Sequence, residues 1–264
     1  MKLYPLRSRI RSELLLGMFV NLAAPALVES MGDTGYDLLL IDAEHAPFGV
    51  SELEALMRAA DIANLPALVR VPEVGSDMGR VLDLGAAGVM VPRIDNAAQA
   101  AEVVNRVRFA PEGTRGGGAY RACDYGNSIA TYLAEANDHL LAIVQIETQS
   151  GFQSVEEIAA TPGLDALCVG PVDLSLAIGH PMGSPEHIAA TKRVFDVAHA
   201  HGLGTIAVCL TADDVFAMRA IGADMAFYGM DRIFALNAMK EAVAAVKEGN
   251  ASTNIATSAA YPRV

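Results

Sequence analysis

Cysteine is scarce in this chain. Cys123, Cys168 and Cys209 are its only three, an odd count without paired spacing, which argues against a disulfide framework or a zinc cluster and points to a reducing cytoplasm. Basic residues are also short. The 19 Lys plus Arg face 31 Asp plus Glu, a formal net charge of −12 that makes nucleic acid and anionic membranes poor partners. No apolar run approaches the ~18 residues of a membrane span. One segment imitates a secretory signal, with Arg7, Arg9 and Arg11 ahead of an apolar stretch from Leu14 to Ala24. Glu13 and Asn21 interrupt it and Pro25 opens a helix, so it reads as a first buried strand. What is abundant is apolar material. At 52% hydrophobic and 19% charged, 264 residues can build a large core, either in two small domains or in one barrel of ~250 residues.

Period decides between the two. Short runs rich in Val, Ile and Leu alternate with segments of helical spacing almost to the end of the chain. Strands are expected at Gly17–Leu22, Asp37–Asp42, Ala67–Val71, Gly88–Pro92, Leu141–Ile146, Ala166–Val169, Thr205–Cys209 and Met225–Tyr228. Helices are expected at Ser51–Ile62, Asn96–Val107, Ser128–Asn137, Val155–Ala160, Pro185–Ala200, Ala212–Ile221 and Arg232–Lys247. Ser51 with Glu54, and Thr211, read as helix caps. Strands apolar on both faces need cover on both sides, so eight such units predict an α/β fold, a (β/α)8 TIM barrel, rather than an open sheet. No linker divides residues 1–249, which form a single expected domain. Residues 250–264 are a polar tail without period, expected to hang free or to lie on a neighbouring subunit. The glycine-rich segment Phe109–Gly118 breaks the rhythm and reads as a flexible flap near the site.

In such a barrel chemistry sits where strands end, and here the strand ends are polar. They are Asp42-Ala43-Glu44-His45, Arg70, Gln145-Ile146-Glu147 and Gly170-Pro171-Val172-Asp173. Gln145 and Glu147 lie two apart and share a face. If that face is the interior, the carboxylates of Glu147 and Asp173 can meet, and a hard cation such as Mg²⁺ or Mn²⁺ would relieve their repulsion. A substrate with adjacent carboxylate and keto oxygens would add two ligands, and waters the rest. Singly, an acid at a strand end is more often a helix cap or a surface charge; the set carries the argument. Arg70 either pairs with Asp42 or Glu44, or stabilises an enolate oxygen, and the two uses are compatible. His45 suits proton transfer near neutral pH.

These stretches, with Leu84-Gly85-Ala86-Ala87-Gly88-Val89-Met90-Val91-Pro92 and Pro111-Glu112-Gly113-Thr114-Arg115-Gly116, resemble the HpcH/HpaI aldolases, the metal-dependent (class II) pyruvate aldolases. The resemblance spans roughly Gly17 to Ala245. It implies Mg²⁺, Mn²⁺ or Co²⁺ at the site, no organic cofactor, and a hexamer, a trimer of dimers that exchange a C-terminal helix. Glu147 and Asp173 would be the metal ligands, and Gln145 would orient metal waters or substrate. Arg70 would polarise the keto oxygen. His45 would manage protons, assisted by Asp42 or by Asp83 of a neighbouring chain. Gly170, Pro171, Val172, Asp173 and Leu174 would form the substrate-binding helix start, whose open backbone amides after Gly170-Pro171 would hold the substrate carboxylate. The implied reaction is reversible cleavage of a 4-hydroxy-2-oxoacid through an enolate at the ion, giving pyruvate or hydroxypyruvate and an aldehyde. Either His45 or a hydroxide at the ion would be the base.

Lysine scarcity offers an independent check. Lys2, Lys192, Lys240 and Lys247 lie at the terminus or in expected helices, so none is placed for imine chemistry. Gly116-Gly117-Gly118 does not sit between a strand and a helix, as a phosphate loop must. His199 and His201, two apart on a helix, face different ways and read as caps. Three rivals stand beside the aldolase: a CoA-thioester lyase of the citrate lyase or malyl-CoA lyase type, for which the acidic chain shows no basic groove; a metal-dependent decarboxylase or Diels-Alder-like synthase; and a non-catalytic sugar-acid binding protein.

Overall fold

Runs of Val, Leu and Ile without polar alternation find cover on both faces in the computed structural model, which describes residues 2–247. Eight strands pair in parallel and in chain order: β1 Leu15–Val20, β2 Leu38–Asp42, β3 Ala67–Arg70, β4 Gly88–Val91, β5 Leu141–Ile146, β6 Ala166–Val169, β7 Gly204–Cys209 and β8 Met225–Met230. β1 also pairs with β8, which closes the expected (β/α)8 barrel. The register sets Asp42 opposite Arg70 and Gln145 opposite Cys168.

The two-residue period divides the core. Leu38 and Leu40, Leu68, Met90, Leu141 and Ile143, Ala166 and Cys168, Ile206 and Phe227 fill the interior. Val20, Leu39, Ile41, Val69, Val91, Val144 and Leu167 face the surrounding helices. Each such fully buried large side chain contributes ~1.5–3 kcal/mol relative to exposure. Continuing the inward series by one step reaches Asp42 on β2, Arg70 on β3, Gln145 on β5 and then Glu147 and Gly170 just past β5 and β6. The polar residues are therefore the top layer of a packed interior, above Phe19, whose ring lies 5.3 Å from the Arg70 guanidinium carbon.

Several boundaries differ from expectation for identifiable reasons. β1 begins two residues early because Leu15 and Leu16 already pair with Met225 and Ala226 of β8, and ends two early because the Asn21 and Leu22 amides donate to the Asp231 carboxylate, both at 3.0 Å, instead of joining a ladder. The helix Val50–Ile62 starts before Ser51; Glu52 accepts from the Gly49 amide at 3.0 Å, while Glu54 pairs with Arg58. Thr211 caps as expected, accepting from the Asp214 amide. A helix at Ser76–Asp83 was not anticipated. The segment from Phe109 is no flap over the mouth. It is pinned to the flank of the helix Ala97–Val107, with the Thr114 amide bonded to Asn105 and the Arg115 side chain buried. At the other end of the barrel, Asp165 ties the fully buried Arg108 to Arg7. His199 clamps to Asp224 at 2.8 Å, ahead of the helix-ending Gly202 at φ +80°.

Among the described residues nothing covers an apolar stripe on the helix Asp231–Lys247, where Leu236, Met239, Val243 and Val246 are all exposed. No helix among the described residues is long and apolar enough to cross a membrane. The polar tail expected at 250–264 lies outside the described residues.

Candidate active site

The turn after β2 folds back on itself, with the amides of Glu44 and His45 donating to Asp42 Oδ1 at 3.2 and 3.4 Å. Asp42 also accepts Asn21 Nδ2 at 2.9 Å and a bidentate pair from Arg70, Nε and Nη2, each at 2.9 Å. Burial alone would raise the Asp42 carboxyl, but the hydrogen bond and charge of Arg70 hold it below its ordinary range. Burial likewise opposes the charge on Arg70, and Asp42 and Glu44 more than offset it. Two guanidinium nitrogens are thus committed to Asp42. Nη1 has no protein partner among the described residues and is the arm left for a ligand.

Glu147 is held from both sides. Its Oε1 accepts the Arg93 amide at 2.9 Å, and its Oε2 accepts Gln145 Nε2 at 2.6 Å. To aim that amide, Arg93 adopts φ +56°, a left-handed conformation that costs a non-glycine residue ~1–2 kcal/mol. Burial, then the charges of Glu44 and Asp173, push the Glu147 carboxyl up to about 7. Gly170 permits the arrangement: a Cβ there would lie 2.1 Å from Glu147 Oε2 and 2.6 Å from Gln145 Nε2. The helix Pro171–Ile178 follows at once and carries Asp173 in its exposed first turn. Proline brings no N–H, and the Val172 and Asp173 amides have no intrahelical acceptor, so the helix start offers two donors toward the mouth. His187 Nε2, 2.9 Å from the Pro171 carbonyl, braces this helix from behind.

The expected residues therefore gather unevenly. Asp42, Arg70, Gln145, Glu147 and Gly170 converge in one layer. Asp173 stands close enough for its charge to raise both Glu44 and Glu147. His45 stands at the rim, with its side chain 66% exposed. Gly170 and Leu174 are not open donors as expected: the Leu174 amide donates to the Gly170 carbonyl at 2.9 Å and the Gly170 amide to that of Ile146 at 3.4 Å, while the Leu174 side chain is buried and that of Val172 exposed. Asp83 is not in this group within its own chain: it ends the helix Ser76–Asp83, away from the mouth, paired with Arg115 Nη2 at 2.8 Å. Sequence reading overlooked Asn21, which the strand-end rule could have supplied, and the main-chain amide of Arg93, which no side-chain pattern announces. A cavity of about 750 Å³ lies between the N-terminal segment and the helices beside it, among Tyr4, Arg9, Asp33 and Tyr36, remote from these groups.

The donor set suits a hard cation that keeps open positions. No group of three or more His, Cys, Asp or Glu side chains is placed to hold an ion by itself among the described residues. Two carboxylates, water and a chelating ligand would complete an octahedron without one. Gln145 Oε1 is buried with no hydrogen-bond partner among the described residues, an oxygen available to orient a ligating water.

The family pattern described as HpcH/HpaI aldolase/citrate lyase matches residues 15–238. A hydroxypyruvate/pyruvate aldolase of Paraburkholderia phytofirmans is 36% identical over 255 residues, covering 92% of this chain and 97% of its own length. A 2-keto-3-deoxy-L-rhamnonate aldolase of Klebsiella pneumoniae is 33% identical over 261 residues, covering 96% of each. The solved structure of an HpcH/HpaI aldolase/citrate lyase family protein from Burkholderia cenocepacia has a TM-score of 0.86 at 34% identity, covering 92% of this chain and 98% of that one. With a closed eight-stranded barrel, this polar layer at its mouth and relatives aligned nearly end to end, the chain belongs to the HpcH/HpaI aldolase/citrate lyase family, as a carbon–carbon lyase.

Proposed function

We propose that this lyase is a divalent-metal-dependent aldolase that reversibly cleaves a 4-hydroxy-2-oxoacid to pyruvate or hydroxypyruvate and an aldehyde. The observation that carries the reading is the top layer of the barrel, where an Arg70 with one uncommitted nitrogen shares the interior with the paired Gln145 and Glu147. Glu147 and Asp173 are the residues that would hold Mg²⁺, Mn²⁺ or Co²⁺. Bound there, the ion supplies Lewis-acid polarisation of the substrate's carboxylate and oxo oxygens. Gln145 keeps Glu147 aimed, and the Val172 and Asp173 amides receive the substrate carboxylate. His45 takes the proton from the 4-hydroxyl as the C3–C4 bond breaks. The bond's electron pair moves onto the pyruvate fragment as an enolate. Arg70 Nη1 donates to the enolate oxygen where charge develops, an interaction worth ~10²–10³ in rate for a well-placed donor. A proton returned to C3 completes the cycle, and Asp42 keeps Arg70 in place throughout.

Relatives named for hydroxypyruvate/pyruvate and for 2-keto-3-deoxy-L-rhamnonate support a hydroxylated donor and a sugar-acid substrate respectively. The apolar stripe of the helix Asp231–Lys247 supports an assembly in which a second copy covers it, in our reading a hexamer of helix-exchanging dimers. In that assembly Asp83 would serve a neighbouring site. Leu236→Glu with Val243→Glu would then give a species smaller than the hexamer in sedimentation; an unchanged assembly would refute the exchange. Three free, buried cysteines are in keeping with a reducing cytoplasm, where a thiol-reactive probe would find them unpaired in freshly lysed cells. Pyruvate release from a 4-hydroxy-2-oxoacid tests the activity itself: it is expected with Mn²⁺ and abolished by EDTA, and cleavage that survives EDTA would refute a metal-dependent reaction.

A further inference from the structure

Glu44 has no task in the reaction as derived, yet it occupies the centre of the cluster. Arg70 already has a complete bidentate partner in Asp42. A second carboxylate beside the same guanidinium adds desolvation cost without another well-formed hydrogen bond. Its Oε2 lies 3.2 Å from Arg70 Nε and 3.7 Å from His45 Nε2. That oxygen is shut off from solvent and has no hydrogen-bond partner among the described residues. Adjacent residues on an extended chain point apart. Here the fold-back of the turn, with both amides on Asp42 Oδ1, brings the Glu44 and His45 side chains together. The carboxylate is thus positioned between a fixed guanidinium and an imidazole whose ring is otherwise exposed at the rim.

We propose that Glu44 is a positioning residue for the aldol step: anchored by Arg70, its Oε2 accepts from His45 Nε2–H and leaves Nδ1 as the basic nitrogen facing the 4-hydroxyl. A carboxylate on one imidazole nitrogen selects the tautomer, orients the ring and raises the basicity of the other nitrogen. The separation of 3.7 Å is that of the unliganded site, where catalytic contacts are commonly long and tighten once substrate is bound. Within one chain the groups that bear on His45 are Glu44 and Asp42 on its own turn and, through them, Arg70 from β3 and Asp173 from the helix after β6; in the proposed assembly Asp83 of a neighbouring chain joins them. This assignment rests on the reading of His45 as the proton-transfer group.

The test uses the metal-loaded enzyme. Glu44→Ala is expected to lower kcat ~10–100-fold with KM for the 2-oxoacid changed less than about threefold, the pattern of lost orientation rather than lost binding. Glu44→Gln, which keeps size and polarity, is expected to move the acidic limb of the kcat/KM profile to lower pH by about half to one unit. Glu44→Asp is expected to recover part of the loss. Folding is checked by circular dichroism, and the Gln variant covers the case in which Ala fails to fold. Wild-type kcat and an unmoved acidic limb in Glu44→Gln would overturn the proposal, leaving Glu44 as a counter-charge for Arg70. A large rise in KM with an unmoved limb would also overturn it, in favour of substrate binding. His45→Asn separates the two levels: if it retains wild-type turnover, the reading of His45 fails and this proposal with it. If it is inactive while Glu44→Gln is unaffected, only the present proposal fails.

Discussion

Replacing Gly170 by alanine probes the site with a single methyl group. Gly170 sits at φ −82° and ψ 99°, a conformation alanine adopts freely, so backbone strain is not the issue. Space is. The new Cβ would lie 2.1 Å from Glu147 Oε2, where ordinary contact begins at 3.4 Å, so the carboxylate must retreat by more than ~1 Å. Retreat breaks the 2.6 Å bond from Gln145 Nε2, and strains the 2.9 Å bond from the Arg93 amide. A hydrogen bond to a charged group is worth ~1.5–3 kcal/mol, so displacement of Glu147 is expected to weaken metal binding by ~10–100-fold. Mn²⁺ titration followed by electron paramagnetic resonance measures this, and thermal melting of the metal-free protein serves as the control. Wild-type Mn²⁺ affinity in a folded Gly170→Ala protein would refute the role of Glu147, in this geometry, as a ligand.

Three further outcomes follow from the same geometry. Because burial and the neighbouring carboxylates raise Glu147 from 4.5 to about 7, the metal-free folded state binds its proton more tightly than the unfolded chain does. Stability from that proton is therefore full below pH ~4.5 and lost as pH rises to ~7, up to ~3 kcal/mol, so Mn²⁺ should raise Tm more at pH 8 than at pH 5. Calorimetry at pH 6 in two buffers should show release of ~0.9 proton on Mn²⁺ binding, and zero release would contradict the shift. Arg70→Lys keeps the charge but loses the fork on Asp42 and the spare Nη1, and should lower kcat/KM by ~10²–10³; a loss under tenfold would contradict the role given to Nη1. Asp165→Asn leaves the fully buried Arg108 without its counter-charge and should cost ~3–5 kcal/mol in urea unfolding, with turnover of the remaining folded enzyme unchanged. A loss below ~1 kcal/mol would show that the pair is dispensable.

The barrel was legible because parallel strands buried on both faces leave unbroken apolar runs, such as Leu141–Ile146 and Ala166–Val169, whose bounds agree residue for residue. Where a side chain from far along the chain intervenes, the pattern misleads. Asp231 captures the amides of Asn21 and Leu22 and ends β1 early, across 209 and 210 positions of sequence. The composition of the site was legible for a related reason: a polar residue that continues an inward apolar series can only stand at the mouth, as Asp42, Arg70, Gln145 and Glu147 do. Direction was not legible. Nothing in Asp42-Ala43-Glu44-His45 reveals that the turn folds back to set Glu44 between Arg70 and His45, because that depends on amides reaching Asp42 Oδ1. The Arg93 amide on Glu147 is likewise a main-chain contact without a residue signature. Glycine between Phe109 and Gly118 suggested mobility, whereas the burial of Arg115 against Phe109, 4.6 Å from the ring centroid, and Asp83 fixes that segment.

The most direct test of the account is anomalous diffraction from crystals soaked with Mn²⁺ and pyruvate. A peak between the Glu147 and Asp173 carboxylates, with the pyruvate oxo oxygen within hydrogen-bond reach of Arg70 Nη1, is the predicted result. Manganese elsewhere, or pyruvate bound away from Arg70, would contradict it.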